Sequence, residues 1–334
     1  MLTPATCAIP ISSSAGSLPF SLKQKMYRLF DDFDACASHH ERGILLKKLL
    51  SAGLLISLAS GANAAPTGPV RLPLESYRKG VAARVKVAGR ERLFQLDTAG
   101  GLTVISPALA KEMDCQPWGS ITGFHMTGTK ITAPRCDNVA IHWKNQTLQS
   151  PVAIVMDVGS PDTPINGLLA LDAFAGRTVT IDFAGRELTL ETPESAAGRK
   201  ANAVELPAHL AREIGGLALS VFIDVPTERG PARLELDSGN GGTILIAPKL
   251  LPLLGLKKVT GEGPQQGHFQ IAPGVEASGM IFSPDIVIDG NLGMPFLKDW
   301  VVTMDLAQGR VWLKRSAVAA PAGMGTPPPV KPAG

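Results

Sequence analysis

Apolar and polar positions alternate with a period of two from residue 81, break at a turn, and resume. VAARVKVAG (81–89) and RLFQLD (92–97) read as the two strands of a hairpin that reverses near Gly89 and Arg90. The second strand ends on an acid, Asp97. Gly100 and Gly101 lack a Cβ and let the chain turn sharply, after which LTVIS (102–106) starts another strand. Ser106 and Pro107 then open a short helix, SPALAKEM, with serine as N-cap and proline at the first helical position. The same succession returns later as ARLELD (232–237), a turn containing Gly239, Gly241 and Gly242, TILIA (243–247) and PKLLPLLGL (248–256).

The repetition reaches further. INGLLALDAFAGRTVTIDFAGRELTL (165–190) aligns without a gap on IDGNLGMPFLKDWVVTMDLAQGRVWL (288–313), matching Gly167 with Gly290, Leu169 with Leu292 and Asp182 with Asp305. A tandem duplication is the reading this supports. The longer spacing in the first copy belongs in loops, where extra length costs little. Short Val, Ile, Leu and Thr runs punctuated by 35 Gly and 27 Pro predict an all-β, bilobed molecule with only short helices. The expected lobes span residues 72–192 and 204–314, joined by a linker at 193–203 (PESAAGRKANA) that has no strand pattern. The Ala/Pro-rich tail, 315–334, is expected to be disordered.

Composition refines this picture in three places. Lys47 and Lys48 precede an apolar stretch at 49–60 that ends in GANAAPTG, the pattern of a secretory signal peptide within a leader of residues 1–64. At about 12 residues that stretch is shorter than the roughly 20 needed to span a bilayer. Residues 1–42 are an unused upstream start or an extended leader. A periplasmic or secreted location follows, with no stable membrane span once the leader is cleaved. Past the leader, Cys115 and Cys136 are either a disulfide or two reduced thiols. The formal net charge of +3, without a basic patch or stacking series, gives no basis for nucleic-acid binding. His125, His142, His209 and His268 show no metal-site spacing, and neither a metal nor a cofactor is expected.

Two aspartates in matched settings suggest one shared site, since a lone buried carboxylate is costly. Asp97-Thr98-Ala99-Gly100 and Asp237-Ser238-Gly239-Asn240, each after an apolar strand and each followed by an apolar-apolar-glycine element near Gly167 or Gly290, resemble the retropepsin-like bacterial aspartic peptidases, here as two copies in one exported chain. The resemblance covers roughly residues 72–314. It implies Asp97 and Asp237 as catalytic residues facing one another across a pseudo-twofold axis, supported by Thr98, Ala99, Gly100, Ser238 and Gly239. Thr98 and Ser238 would hydrogen-bond across the interface to backbone near the opposite aspartate. Ala99 departs from the family's usual glycine and Asn240 from a small residue. The pepsin-type flap tyrosine is missing.

Gly-rich segments around Gly123 and Phe124, and around Gly261 and Gly263, are candidate hairpins covering a cleft and touching substrate. Asp182 and Asp305 read as turn-formers. The expected activity is endopeptidase cleavage of an extended polypeptide by a water held between two carboxyls that share one proton. A monomer could assemble the whole site. An inactive peptide-binding protein, or an envelope scaffold, is the alternative.

Overall fold

In the computed structural model, residues 68–257 and 263–327 are described. The leader and Gly261 lie outside them. The described chain is almost entirely β. Its first half forms β1 (Val70–Tyr77), β2 (Gly80–Val87), β3 (Arg90–Asp97), β4 (Val104–Ile105), β5 (Ser120–Phe124), β6 (Lys130–Trp143), β7 (Gln146–Val155), β8 (Gly167–Ala170), β9 (Thr178–Asp182) and β10 (Glu187–Leu190). The second half forms β11 (Val204–Ala211), β12 (Ser220–Val225), β13 (Ala232–Leu236), β14 (Ile244–Ile246), β15 (Gln265–Ala272), β16 (Val275–Phe282), β17 (Gly290–Leu292), β18 (Trp300–Asp305) and β19 (Arg310–Arg315). The helices are short: α1 (Pro107–Glu112), α2 (Pro193–Lys200) and α3 (Met294–Leu297).

Pairing is the same in both halves. β2 and β3 are antiparallel, as are β12 and β13. β8 runs parallel to β3 and antiparallel to β4, and β17 does the same between β13 and β14. Glycine is required at these crossings. A Cβ on Gly167 would lie 1.9 Å from the Val104 carbonyl oxygen, and one on Gly290 would lie 2.2 Å from that of Leu245.

The lobes are fused through one sheet running β1, β10, β9, β18, β19, β11, with three strands from each half. Its middle is the antiparallel β9–β18 pair, in which Thr180 stands opposite Thr303 and Asp182 and Thr178 stand opposite Val301 and Asp305. The two threonine hydroxyls are buried and 2.9 Å apart. Alternation along the strands sends Phe94, Leu96, Leu234 and Leu236 into one continuous apolar core shared by both lobes. A smaller cluster of Leu102, Ile121, Val152 and Ala218 also joins the halves.

Several local expectations meet the structure here. Ser106 Oγ accepts from the Leu109 amide at the head of α1. PKLLPLLGL forms two 3-10 turns, Pro248–Leu250 and Pro252–Leu254, because its prolines interrupt any longer helix. The strandless linker is a helix: Thr192 and Ser195 cap α2 reciprocally, and Arg199 pairs with Glu191. Disorder from 315 onward does not describe the tail as far as Pro327. Met324 is buried in the core, and the Gly325 amide donates to the Lys79 carbonyl at 2.9 Å. Bulk composition hid this single apolar anchor. Cys115, just after α1, is bridged to Cys136 on β6. Asp182 and Asp305 accept turn amides from Gly185 and from Ala307 and Gln308.

Candidate active site

Asp97 ends β3 and Asp237 directly follows β13. The glycine strands β8 and β17 run behind them, so each carboxyl is carried on a loop clamped between two strands. The loops grip one another. Thr98 Oγ1 donates to the Leu236 carbonyl at 2.5 Å and accepts from the Ser238 amide at 3.0 Å. Reciprocally, Ser238 Oγ donates to the Leu96 carbonyl at 2.8 Å and accepts from the Thr98 amide at 3.1 Å. All four bonds are buried, where hydrogen bonds are strong and costly to leave unmade.

Gly239 is pressed against the opposite carboxyl. A Cβ there would fall 2.6 Å from Asp97 Oδ2. Ala99 occupies the matching place in the first loop, and its amide donates to Asp97 Oδ1 at 3.1 Å. Gly100 also turns its amide to Asp97. The Asn240 amide donates to Asp237 Oδ1 at 2.9 Å. Burial pushes the Asp97 carboxyl up, against the pull of the Ala99 and Gly100 amides. Asp237 is pushed up to about 7, first by burial and then by the negative charge of Asp97. Two carboxyls in each other's field cannot both ionise easily, which is the condition for sharing one proton.

Asn291 and Asp172 were not singled out from the sequence. Asn291, fully buried on β17, donates through Nδ2 to Asp237 Oδ2 at 2.5 Å and accepts from Asn240 Nδ2 at 2.8 Å. Its matched residue in the first copy is Leu168, so a polar side chain in an otherwise apolar run was the available signal. Asp172 accepts from the Thr103 amide and hydroxyl and from the Ser150 hydroxyl, at 3.0, 2.7 and 2.6 Å. It ties down the chain beyond the Asp97 turn. Burial pushes its carboxyl up to about 6. Glu235, two residues before Asp237, is a further buried carboxyl, held well up by burial and then by the Asp237 charge.

Of the candidate substrate-contacting residues, Gly123 and Phe124 lie on β5 in a hairpin with β6, and Phe124 is 70% exposed. The hairpin tip reaches the second lobe. The Met126 carbonyl accepts from the Val287 amide at 2.9 Å, and Met126 Sδ lies 3.6 Å from Asn291 Nδ2, the same amide that holds Asp237. The second segment behaves differently. Gly263 is exposed just before β15, and the β15–β16 hairpin turns elsewhere, at Pro273 and Gly274. Among the described residues no group of three or more His, Cys, Asp or Glu side chains could hold a metal, and no helix is long and apolar enough to cross a membrane.

Residues 83–173 match the aspartyl protease family model. Solved structures similar to the chain include basic 7S globulin from soybean, at 12% identity and TM-score 0.47, covering 75% of this chain and 96% of that one. Conglutin gamma, a basic 7S globulin from lupine seeds, is similar at 10% identity and TM-score 0.46, covering 75% and 95%. An aspartic proteinase from Irpex lacteus is similar at 11% identity and TM-score 0.47, covering 75% and 98%. Comparison with curated proteins returns no match.

Proposed function

We propose that the protein is an exported aspartic endopeptidase, built by tandem duplication, in which Asp97 and Asp237 act on one water. The observation that carries this reading is the reciprocal Thr98–Ser238 grip, which locks the two aspartate loops together with their carboxyls buried in each other's field. With one proton on the pair, the ionised carboxylate takes a proton from the water while the protonated one donates to the scissile carbonyl oxygen. Oxygen adds to carbon, giving a neutral tetrahedral diol. On collapse one diol hydroxyl returns its proton to a carboxylate, the other carboxyl protonates the amine nitrogen, and the C–N bond breaks. The Cys115–Cys136 bridge supports residence in an oxidising compartment, periplasmic or extracellular. One chain supplies both aspartates, so a monomer suffices.

One observation favours a second reading, a peptide-binding protein without turnover: the hairpin tip already rests on Asn291 beside Asp237. A single experiment separates the two. The chain from residue 65 onward is assayed on unstructured polypeptide between acid and neutral pH, alongside Asp97→Asn and Asp237→Asn. Cleavage by the parent should fall at least about a thousandfold in either variant with the melting temperature retained. Equal cleavage by both variants removes the dyad from the mechanism, and peptide binding without any cleavage favours the second reading.

A further inference from the structure

Beside the aspartate loops lies a cavity of about 390 Å³. By liquid-water volume it has room for about a dozen waters, or for a long side chain with a few of them. One wall is the β1–β2 turn with Arg78 and Lys79; the other is the Asn240–Thr243 turn. Gly239 lines the cavity and also abuts the Asp97 carboxyl, so the cavity begins one residue from the reacting centre.

The charge of this wall is one-sided. Among the described residues no carboxylate lines the cavity. Among the described residues the Arg78 guanidinium donates only to neutral hydroxyls, Thr163 Oγ1 at 2.9 Å and Ser160 Oγ at 3.1 Å, and lies over the Tyr77 ring. Among the described residues neither Arg78 nor Lys79 forms an ion pair. The turn is also held firmly. The Lys79 carbonyl accepts from Gly325 in the docked tail, and Gly241 comes so near that a Cβ there would lie 2.8 Å from Lys79 Cβ.

The other half of the cleft has the opposite character. Its β11–β12 connection places Ala218 in the apolar cluster with Leu102, Ile121 and Val152, with Leu217 packed against it. Two residues before the aspartate, Gln95 of the cavity wall is replaced by the buried acid Glu235. The cavity wall thus presents two cations that form no ion pair among the described residues, whereas the matching part of the second half buries apolar side chains and an acid.

We infer that this cavity is a specificity subsite for an acidic side chain of the substrate, with Lys79 and Arg78 supplying its charge; the inference rests on the peptidase reading. Cleavage-site profiling on a peptide mixture should show Asp or Glu enriched at one fixed position within about three residues of the cut. Synthetic peptides differing only by Glu or Gln there should differ about tenfold or more in kcat/KM, less so at high salt. Lys79→Glu should cut that Glu-to-Gln ratio about tenfold or invert it, and Arg78→Glu should act in the same direction. Because the ratio is taken within each variant, a partial loss of folded protein does not mimic the effect. Cleavage without acidic enrichment, or an unchanged ratio in both variants, overturns the subsite alone. Absence of cleavage by the parent overturns the peptidase reading and the subsite with it.

Discussion

Asn291 makes the two acids unequal. Asp97 receives only backbone amides from its own loop, whereas Asp237 also receives a side-chain amide at 2.5 Å. A donor on Asp237 favours its ionised form, against the burial and the Asp97 charge that raise it. With Asp237 pushed up to about 7, activity should decline as pH rises through that value and the pair loses its last proton. Asn291→Leu, which installs the residue matched in the first copy, removes the donor. The loss of that last proton should then need a higher pH, moving the alkaline limb of kcat/KM upward by about one unit, as expected for a hydrogen bond to a charged group. An unmoved alkaline limb would assign Asn291 to packing alone. Asp172 makes a different test. Its ordinary value is 3.8 and burial pushes it to about 6, so the stability it contributes is full below about 4 and is lost as pH rises through about 6. The two-unit rise corresponds to about 3 kcal/mol. Asp172→Asn keeps an acceptor for Thr103, and its urea midpoint should fall less than the parent's between pH 4 and 7.5; parallel midpoints would contradict the assignment.

Among the elements, the glycine crossings tolerate least. Gly290→Ala would drive a methyl into the Leu245 carbonyl and should cost about 3 kcal/mol in chemical denaturation, whereas Gly123→Ala, with no atom within 4 Å, should stay within about 0.5 kcal/mol. Equal effects would mean that the crossing is looser than its geometry. These crossings were legible in the sequence because glycine stood at a matching place in both halves. The strands were legible through alternation, and the grip residues through their position after each aspartate. The roles of α2 and Met324 were not. Helix α2 is decided by the Thr192–Ser195 cap rather than by periodicity, and Met324 by one buried contact in a polar, proline-rich context. The second Gly-rich segment misled for a related reason. Glycine marks a reversal, but β15–β16 reverses at Pro273 and Gly274 rather than at Gly263, whereas Gly123 and Phe124 lie within the paired strands of β5–β6. Asn291 was hidden because its strand reads as apolar and its partner lies 54 positions away.

For the molecule as a whole, the disulfide and the shared sheet act on different parts. Cys115–Cys136 closes a loop of 21 residues near the base of the covering hairpin. A loop of that length stabilises by about 3 kcal/mol in the chain-entropy account. Cys115→Ser with Cys136→Ser should therefore lower the melting temperature by several degrees, and an unchanged melt would show that the bridge adds nothing to the fold. The sheet through β9 and β18 is independent of that bridge. Its register places Thr180 against Thr303, and it binds three strands of each lobe into one hydrogen-bonded layer.

That layer closes the rear of the molecule. Halves stitched along a common spine cannot gape like a clam shell, because parting them would strip a buried row of backbone bonds. The tip of the covering arm is held far more lightly, by the Val287 amide on the Met126 carbonyl and by one sulfur contact. On the peptidase reading, a guest would enter by the raising of that arm and the laying of a strand in sideways, which would make an interior stretch of a long polymer as accessible as its ends.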